Sequence, residues 1–180
     1  MYIDITKRYA EYIKQFITVS NETDILCHAL SKVADLIRPK SITEILHNLK
    51  LFNTMLQQIV KMIGPCSFCQ RTRLFSNYIF QLIKDLIKIY KVYYIHIAEI
   101  FERFYTLEYE ESRKCFKAYS NFLEINKVSQ KQITKLLGMF KFPITQPEYY
   151  KPEAGLEESL KTFIEQAKKS KSEGNSGKVD

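Results

Sequence analysis

The chain has 180 residues, which is long enough for one domain with a substantial hydrophobic core. Its 5 Gly and 5 Pro argue against a strand-and-turn design, and no apolar run reaches the roughly 18 residues of a transmembrane helix. The 27 Lys and Arg against 20 Asp and Glu give a net charge of +7, but the basic residues are interspersed with acids, so a solvated surface is the preferred interpretation over binding to nucleic acid or membrane.

Two helices are predicted at the start of the chain. Residues 2–18 carry apolar side chains on one side, and the polar residues 20–22 are expected to end this first helix. Thr23 is a suitable N-cap for a second, shorter helix, which Pro39 ends. Because the charged N-terminal sequence does not resemble a signal peptide, the four cysteines are expected to be reduced thiols in the cytosol.

A capping box opens the third predicted helix. The Ser41 hydroxyl is expected to accept a hydrogen bond from the Glu44 amide, and the Glu44 side chain to reach back to the Ser41 amide. The apolar residues that follow have helical spacing as far as Gly64 and Pro65, which are expected to end the helix.

The segment from 71 to 105 is the longest periodic stretch and contains neither Pro nor Gly. Its apolar residues recur at intervals of three and four, so a single helix of roughly 50 Å is predicted. Such a helix has a wide apolar stripe, which the helices before and after it must cover. The stripe includes Leu74, Tyr78, Leu82, Leu86, Ile89, Tyr90, Tyr94, Ile97, Phe101 and Phe104.

Further capping signals follow this segment. Thr106 is a candidate N-cap for a helix with glutamates in its first turn, where the helix dipole favours negative charge. Ser129 and Gln132 form a second capping box, which predicts the start of another short helix. Residues 142–152 hold three of the five prolines and are predicted to be a non-helical connector to a final helix at about 154–168.

No segment alternates with period two for long enough to form a strand. The sequence therefore predicts an all-α fold, an antiparallel helical bundle or solenoid of about seven helices with one very long central helix. Residues 1–168 are assigned to this helical domain. The polar residues 169–180 lack the apolar side chains that would offset the cost of ordering, so they are predicted to be a disordered tail.

The cysteines do not indicate a metal site. Cys66 and Cys69 have the spacing of zinc ligands, but a structural zinc ion needs four ligands. The remaining candidates, Cys27 and Cys115, fall at apolar positions of predicted helices, and no second paired motif exists. Buried or loop cysteines are the preferred interpretation, and no metal is expected.

No catalytic signature is present. His28, His47 and His96 lie on three different predicted helices, and the sequence has neither the metalloprotease His-Glu motif nor a glycine-rich phosphate loop. The chain is therefore expected not to be an enzyme and to need no cofactor.

A basic face is predicted on the long helix. Lys84, Lys88 and Lys91 share this face, with Arg71 and Arg73 near the helix start. These residues could meet phosphate headgroups, although the solvated back of an amphipathic helix is the preferred interpretation. Nucleic acid is not expected as a partner, because no aromatic platform is interleaved with the basic residues.

Residues 85–124 read DLIKIYKVYYIHIAEIFERFYTLEYEESRKCFKAYSNFLE. The apolar and acidic positions of this segment resemble the C-terminal half of ANTH domains of PICALM-type clathrin-assembly adaptors, with the plant-like branch nearest. The matching residues are Asp85, Ile89, Tyr90, Ile97, Ile100, Phe101, Glu102, Phe104 and Tyr105, followed by Tyr119 and Phe122 on the next helix.

The resemblance implies an α-helical solenoid passing into a bundle and a role as an endocytic adaptor in clathrin-mediated vesicle formation. The expected location is cytoplasmic, peripheral to the plasma membrane or to Golgi and endosomal clathrin-coated vesicles. In the family, a lysine-rich patch binds phosphoinositide and an unstructured tail binds clathrin. Neither has a counterpart in this sequence, so those partners are expected to act through parts that this chain lacks.

The matching half of the family binds an R-SNARE of the synaptobrevin type. The SNARE helix lies in a groove between late helices, where the domain's own last helix can also lie, with apolar anchors in the groove. Phe101 matches an apolar groove position, whereas Asn126 stands where the family has a groove methionine. The alternative is a purely structural helical scaffold, in which Phe101 and its neighbours are core beneath the final helix. The groove candidates are Phe101, Ile97, Phe122, Ile125 and Asn126.

Overall fold

The computed structural model describes residues 2–23, 41–63 and 73–176, and within these ranges the chain is helical with no strand. The prediction of an all-α fold is confirmed. None of the described helices combines the length and the apolar character needed to cross a membrane. The elements are α1 (Tyr2–Thr23), α2 (Ile42–Ile63), α3 (Arg73–Arg103), a 3-10 turn (Phe104–Thr106), α4 (Tyr109–Phe140) and α5 (Leu156–Ser176).

Three helices form the core. α2, α3 and α4 pack against one another, while α1 packs on α2 and α5 packs on α4. α3 and α4 are antiparallel, since Phe75 contacts Phe140 near one end and Phe101 contacts Tyr119 near the other. The centre of the core consists of side chains with almost no solvent exposure, including Ile45, Phe52, Leu56, Ile79, Leu82, Leu86, Ile89, Cys115 and Phe122.

The N-terminus of α2 agrees with the sequence. The Ser41 hydroxyl oxygen accepts a hydrogen bond from the Glu44 amide at 3.2 Å, which satisfies one of the free N–H groups at the helix start. α2 ends at Ile63, immediately before the predicted Gly64-Pro65 stop.

α1 is longer than predicted. It continues through Ser20 to Thr23, although residues 20–22 were expected to end it. Val19 and Ser20 are both buried. The helix propensities of Ser and Asn cost only about 0.5 kcal/mol each, and burial of one large apolar side chain outweighs that. The second predicted helix, from Thr23 to Pro39, lies almost entirely outside the described residues.

The predicted helix start at Ser129 is wrong. α4 runs unbroken from Tyr109 to Phe140, and Ser129 lies buried inside it. The pattern of Ser129 and Gln132 satisfies the capping-box rule, but Ile125, Ile133 and Leu136 keep the same buried face across the supposed break. Packing of that face against α2 and α3 therefore overrides the local capping signal.

The predicted N-cap at Thr106 is also wrong. The cap residue of α4 is Glu108, and the Thr106 hydroxyl instead donates a hydrogen bond to the Arg103 carbonyl at 2.7 Å. Glu110 and Glu111 do lie in the first turn of α4, as predicted, where negative charge is favourable.

The helix count and the single dominant helix are not confirmed. The described part contains five α-helices instead of about seven, and α3, with 31 residues, is matched by α4, with 32. The fold therefore has two long helices side by side, because the two helices predicted after Tyr105 are one.

A non-helical connector joins α4 to α5, as predicted. It begins at Lys141, which ends α4 in the left-handed conformation with φ of 50° and donates its amide to the Leu137 carbonyl. α5 then extends to Ser176, beyond the predicted end at 168, into residues assigned to the polar tail. No Pro or Gly interrupts this extension before Gly174, and Lys171 lies 3.9 Å from the Glu110 carboxylate. Residues 177–180 are outside the described part.

Candidate interaction groove

The connector fills the seam between α3 and α4. The ring of Tyr149 is buried, with its centroid 5.4 Å from that of Tyr90 on α3. The ring of Tyr150 packs between the two helices, 5.9 Å from Tyr94 and 5.6 Å from Phe122. An extended segment of the chain thus occupies a groove lined by aromatic rings.

Hydrogen bonds fix this segment at one residue. The Tyr90 hydroxyl donates to Asn126 Oδ1 at 2.6 Å and accepts from the Tyr150 amide at 3.0 Å. Asn126 Nδ2 donates to the Tyr150 carbonyl at 2.9 Å. Side chains from α3 and α4 therefore satisfy both backbone polar groups of Tyr150. We name this closed set of Tyr90, Asn126 and Tyr150 the Tyr150 latch.

The latch lies in an environment of low polarity. Burial is the main cause that raises the pKa of the Tyr90 hydroxyl, so this group stays a neutral donor and acceptor. A hydrogen bond in such surroundings is stronger than in water, and its loss leaves a buried polar group without a partner. The latch is thus the main polar constraint on the path of the connector.

Two of the five predicted groove residues contact the connector directly. Phe122 is fully buried and packs against the Tyr150 ring, and Asn126 belongs to the latch. Ile97 and Ile125 are also buried, on α3 and α4 respectively.

Phe101 differs from the other four candidates. It is half-buried, and its ring meets Tyr119 edge to face with centroids 4.9 Å apart. The structure therefore places Phe122 and Asn126 against the connector, Ile97 and Ile125 in the buried interior, and Phe101 at a partly exposed position beside Tyr119.

α5 packs on α4 and the 3-10 turn through few buried side chains. Among its described side chains, Leu160 alone is fully buried. The ring of Phe163 packs against those of Phe104 and Tyr105, with centroids 5.7 Å and 5.2 Å apart respectively. The hydroxyl oxygens of Ser159 and Tyr105 are 3.0 Å apart and form a hydrogen bond. This attachment is small compared with the closed core of α2, α3 and α4.

A buried polar cluster ties α1 to α3. The Tyr12 hydroxyl donates to Asp85 Oδ2 at 3.1 Å, and Gln81 Nε2 donates to Oδ1 at 2.9 Å. Burial raises the pKa of Asp85, while these two hydrogen bonds and the nearby Lys88 and Lys84 act in the opposite direction. Apolar periodicity does not predict this cluster, and its signal in the sequence is the acidic residue Asp85 inside the apolar stripe.

The raised pKa of Asp85 makes stability depend on pH. The folded chain holds this proton more tightly than the unfolded chain, whose pKa is near the ordinary 3.8. The contribution is therefore full below that value and is lost as the pH rises through the folded pKa. Asp85→Asn removes the titration, so the variant should gain stability relative to the parent chain as the pH rises from about 4. Urea unfolding at a series of pH values measures the difference, and a gap that does not change with pH would contradict the expectation.

The cysteine interpretation is testable at one position. Cys115 is a free, buried thiol, and burial raises its pKa to about 12, so it is an unreactive core residue. Cys27, Cys66 and Cys69 lie outside the described residues. Within the described residues, no three His, Cys, Asp or Glu side chains are grouped as metal ligands.

The two histidines in the described part of the chain have different surroundings. His47 is exposed on α2, with Nε2 3.9 Å from the Glu22 carboxylate, and His96 is buried on α3 against the ring of Phe52. His28 lies outside the described residues.

The comparisons with known proteins add no family assignment. No family model matches the chain, and no curated protein matches it either. The resemblance of residues 85–124 to ANTH domains is therefore carried into the proposal below by its residue pattern alone.

Proposed function

We propose that this chain is a non-enzymatic interaction module that binds an amphipathic helix of a partner at the face of α3 and α4 now covered by the connector and α5. Following the resemblance, the partner is an R-SNARE helix of the synaptobrevin type, and the module is an endocytic adaptor.

The observation that carries the proposal is the way α5 is docked. α5 is itself an amphipathic helix whose apolar residues at i, i+4, i+7 and i+8 lie on α4 and the 3-10 turn. Such spacing is typical of helix-in-groove recognition, and here the chain supplies the helix in cis. The four anchors are Leu156, Leu160, Phe163 and Ile164.

The energetics favour exchange at this place, because Leu160 is the one fully buried anchor of α5 among its described side chains. Burial of one leucine contributes about 1.5–3 kcal/mol, and the other three anchors of α5 are only partly buried. Elements with few buried contacts open at the lowest free-energy cost. A partner helix that reaches Phe122 and Asn126 must also release Tyr150, so the connector and α5 leave together in this proposal.

Weakening the docking of α5 should strengthen partner binding. Leu160→Ala removes the one fully buried anchor of α5, which raises the fraction of molecules with an open face and lowers the apparent dissociation constant in proportion. We expect about a tenfold gain in affinity for a synaptobrevin-type SNARE peptide, measured by fluorescence anisotropy. Lys168→Ala, at an exposed position of the same helix, is the matched control and should leave affinity unchanged.

The alternative function is a closed helical scaffold without a SNARE groove. The burial of Ile97, Phe122, Ile125 and Asn126 favours this alternative. It predicts that neither the parent chain nor Leu160→Ala binds the peptide, and that deletion of residues 153–180 exposes no binding face. That result would remove the adaptor proposal.

A further inference from the structure

A second groove lies beside the connector and shares Tyr90 with the latch. It has a volume of about 480 Å³ and opens between α3 and connector residues 145–148. That volume is within the range of sites that bind small molecules or peptide side chains. Its apolar walls are Ile87, Tyr94, Ile95 and Pro147, with Lys91 and Glu148 at its edges.

The walls of this groove are already in place. The α3 residues are spaced by three and four, so they lie on one face of a rigid helix. Tyr94 is 43% exposed, which is unusual for a large side chain whose ring also packs against Phe122 and Tyr150. An aromatic ring held by two others and open on one side is a preformed surface for an apolar ligand group.

The charge around the groove is positive. Lys84, Lys88 and Lys91 follow one another at i, i+4 and i+7 along α3, and none of them forms an ion pair within the described residues. Lys84 lies with its Nζ 5.5 Å from the ring centroid of Phe80 and not against a carboxylate. Glu148 is the acid that lines the groove. Of the three lysines, Lys91 lines the groove, while Lys84 and Lys88 precede it on the same helix face and lie near Asp85. Three cations against the two acids Asp85 and Glu148 leave an excess of positive charge along this face, which attracts a ligand that carries carboxylates.

We propose that this groove, which we name the Tyr94 groove, binds an acidic peptide segment. One large apolar side chain of the peptide lies between Tyr94 and Pro147, and neighbouring carboxylates face the three lysines. The apolar walls favour a peptide over a phosphate headgroup, because a phosphate needs converging donors more than aromatic surface. The Tyr94 groove exists while the connector is docked, because connector residues 145–148 form one of its walls. Peptide binding there and partner-helix binding therefore exclude one another, and peptide binding by the parent chain tests the groove by itself.

The test uses the full chain and a fluorescein-labelled peptide in which one Phe is flanked on both sides by Asp and Glu. Binding is measured by anisotropy at low ionic strength and again at about 0.3 M salt, where charge attraction is screened. We expect Lys91→Glu to weaken binding about tenfold, because it reverses a charge at the groove edge. Lys131→Glu makes the same change of charge at an exposed position of α4 and should change the affinity less than about twofold.

A second peptide distinguishes binding in the groove from binding to surface charge alone. Replacing the Phe of the peptide with Ala should weaken binding at least about fivefold, because the apolar side chain loses its contact with Tyr94. The proposal is overturned if the parent chain does not bind the Phe peptide, if the two Lys variants lose affinity equally, or if the Ala peptide binds as well as the Phe peptide. It is also overturned if inositol hexakisphosphate, a polyanion without an apolar group, displaces the labelled peptide from the parent chain as effectively as the unlabelled Phe peptide does.

Discussion

Replacing Phe122 with alanine is expected to lower the free energy of unfolding by about 3–5 kcal/mol. Phe122 has no solvent exposure and lies among aromatic rings. Its ring centroid is 5.3 Å from that of Tyr93, 5.9 Å from that of Tyr90 and 5.6 Å from that of Tyr150. Truncation removes its contacts with all of these rings and leaves a cavity at the point where α3, α4 and the connector meet. Rigid rings held by two long helices collapse poorly into such a cavity, so the cost should fall in the upper part of the range for core truncations.

Equilibrium urea unfolding measures this change, with the slope of the transition as a check that both chains unfold in the same way. Ile17→Ala, at a side chain that is 54% exposed on α1, is the matched control and should cost less than about 0.5 kcal/mol. A loss below about 1 kcal/mol for Phe122→Ala would mean that the seam is loosely filled. That outcome would contradict the closed packing described here and would favour an open groove at this position.

The helices were predictable where apolar periodicity and a local signal agree. The start of α2 was predicted to within one residue from Ser41 and the apolar periodicity after it. This was possible because the capping hydrogen bond uses only atoms at the start of the same helix. Ser20 and Ser129 carry similar polar signals, yet both lie within helices and are buried. Their conformation is decided by the apolar residues around them that pack on other helices, and no local rule contains that information.

The groove was only partly predictable. The prediction of antiparallel helices places Phe101 and Phe122 on adjacent helices, where Phe101 meets Tyr119 and Phe122 meets Tyr93 and Tyr94. The Tyr150 latch joins residues 24 and 60 positions apart in the chain, so it cannot be derived from periodicity. Asn126 gave one signal, a polar residue at a buried helix position, and was interpreted as a departure from a groove methionine. Its amide has a role of its own, which is to hold the connector.

The function of Asn126 gives the second large effect. Asn126→Met places at this position the residue that the ANTH resemblance leads one to expect, with a larger apolar side chain in place of the amide. The Tyr90 hydroxyl loses its acceptor and the Tyr150 carbonyl loses its donor. Each buried polar group left without a partner costs about 1–3 kcal/mol, so we expect the two together to lower the free energy of unfolding by roughly 2–6 kcal/mol.

A double-mutant cycle with Tyr90→Phe tests whether the latch acts as a unit. Tyr90→Phe removes the acceptor of the Tyr150 amide, so hydrogen exchange of that amide should accelerate more in this variant than in Asn126→Met. In the double variant the Tyr90 hydroxyl is no longer present to be left without an acceptor, so the combined loss of stability should be smaller than the sum of the single losses by at least about 0.5 kcal/mol. Strict additivity, or unchanged exchange at Tyr150, would mean that the latch does not act as a unit in holding the connector. If the latch is cooperative, the connector leaves the α3–α4 seam in one step, and a competing helix gains access to Phe122 and Asn126 at the same moment.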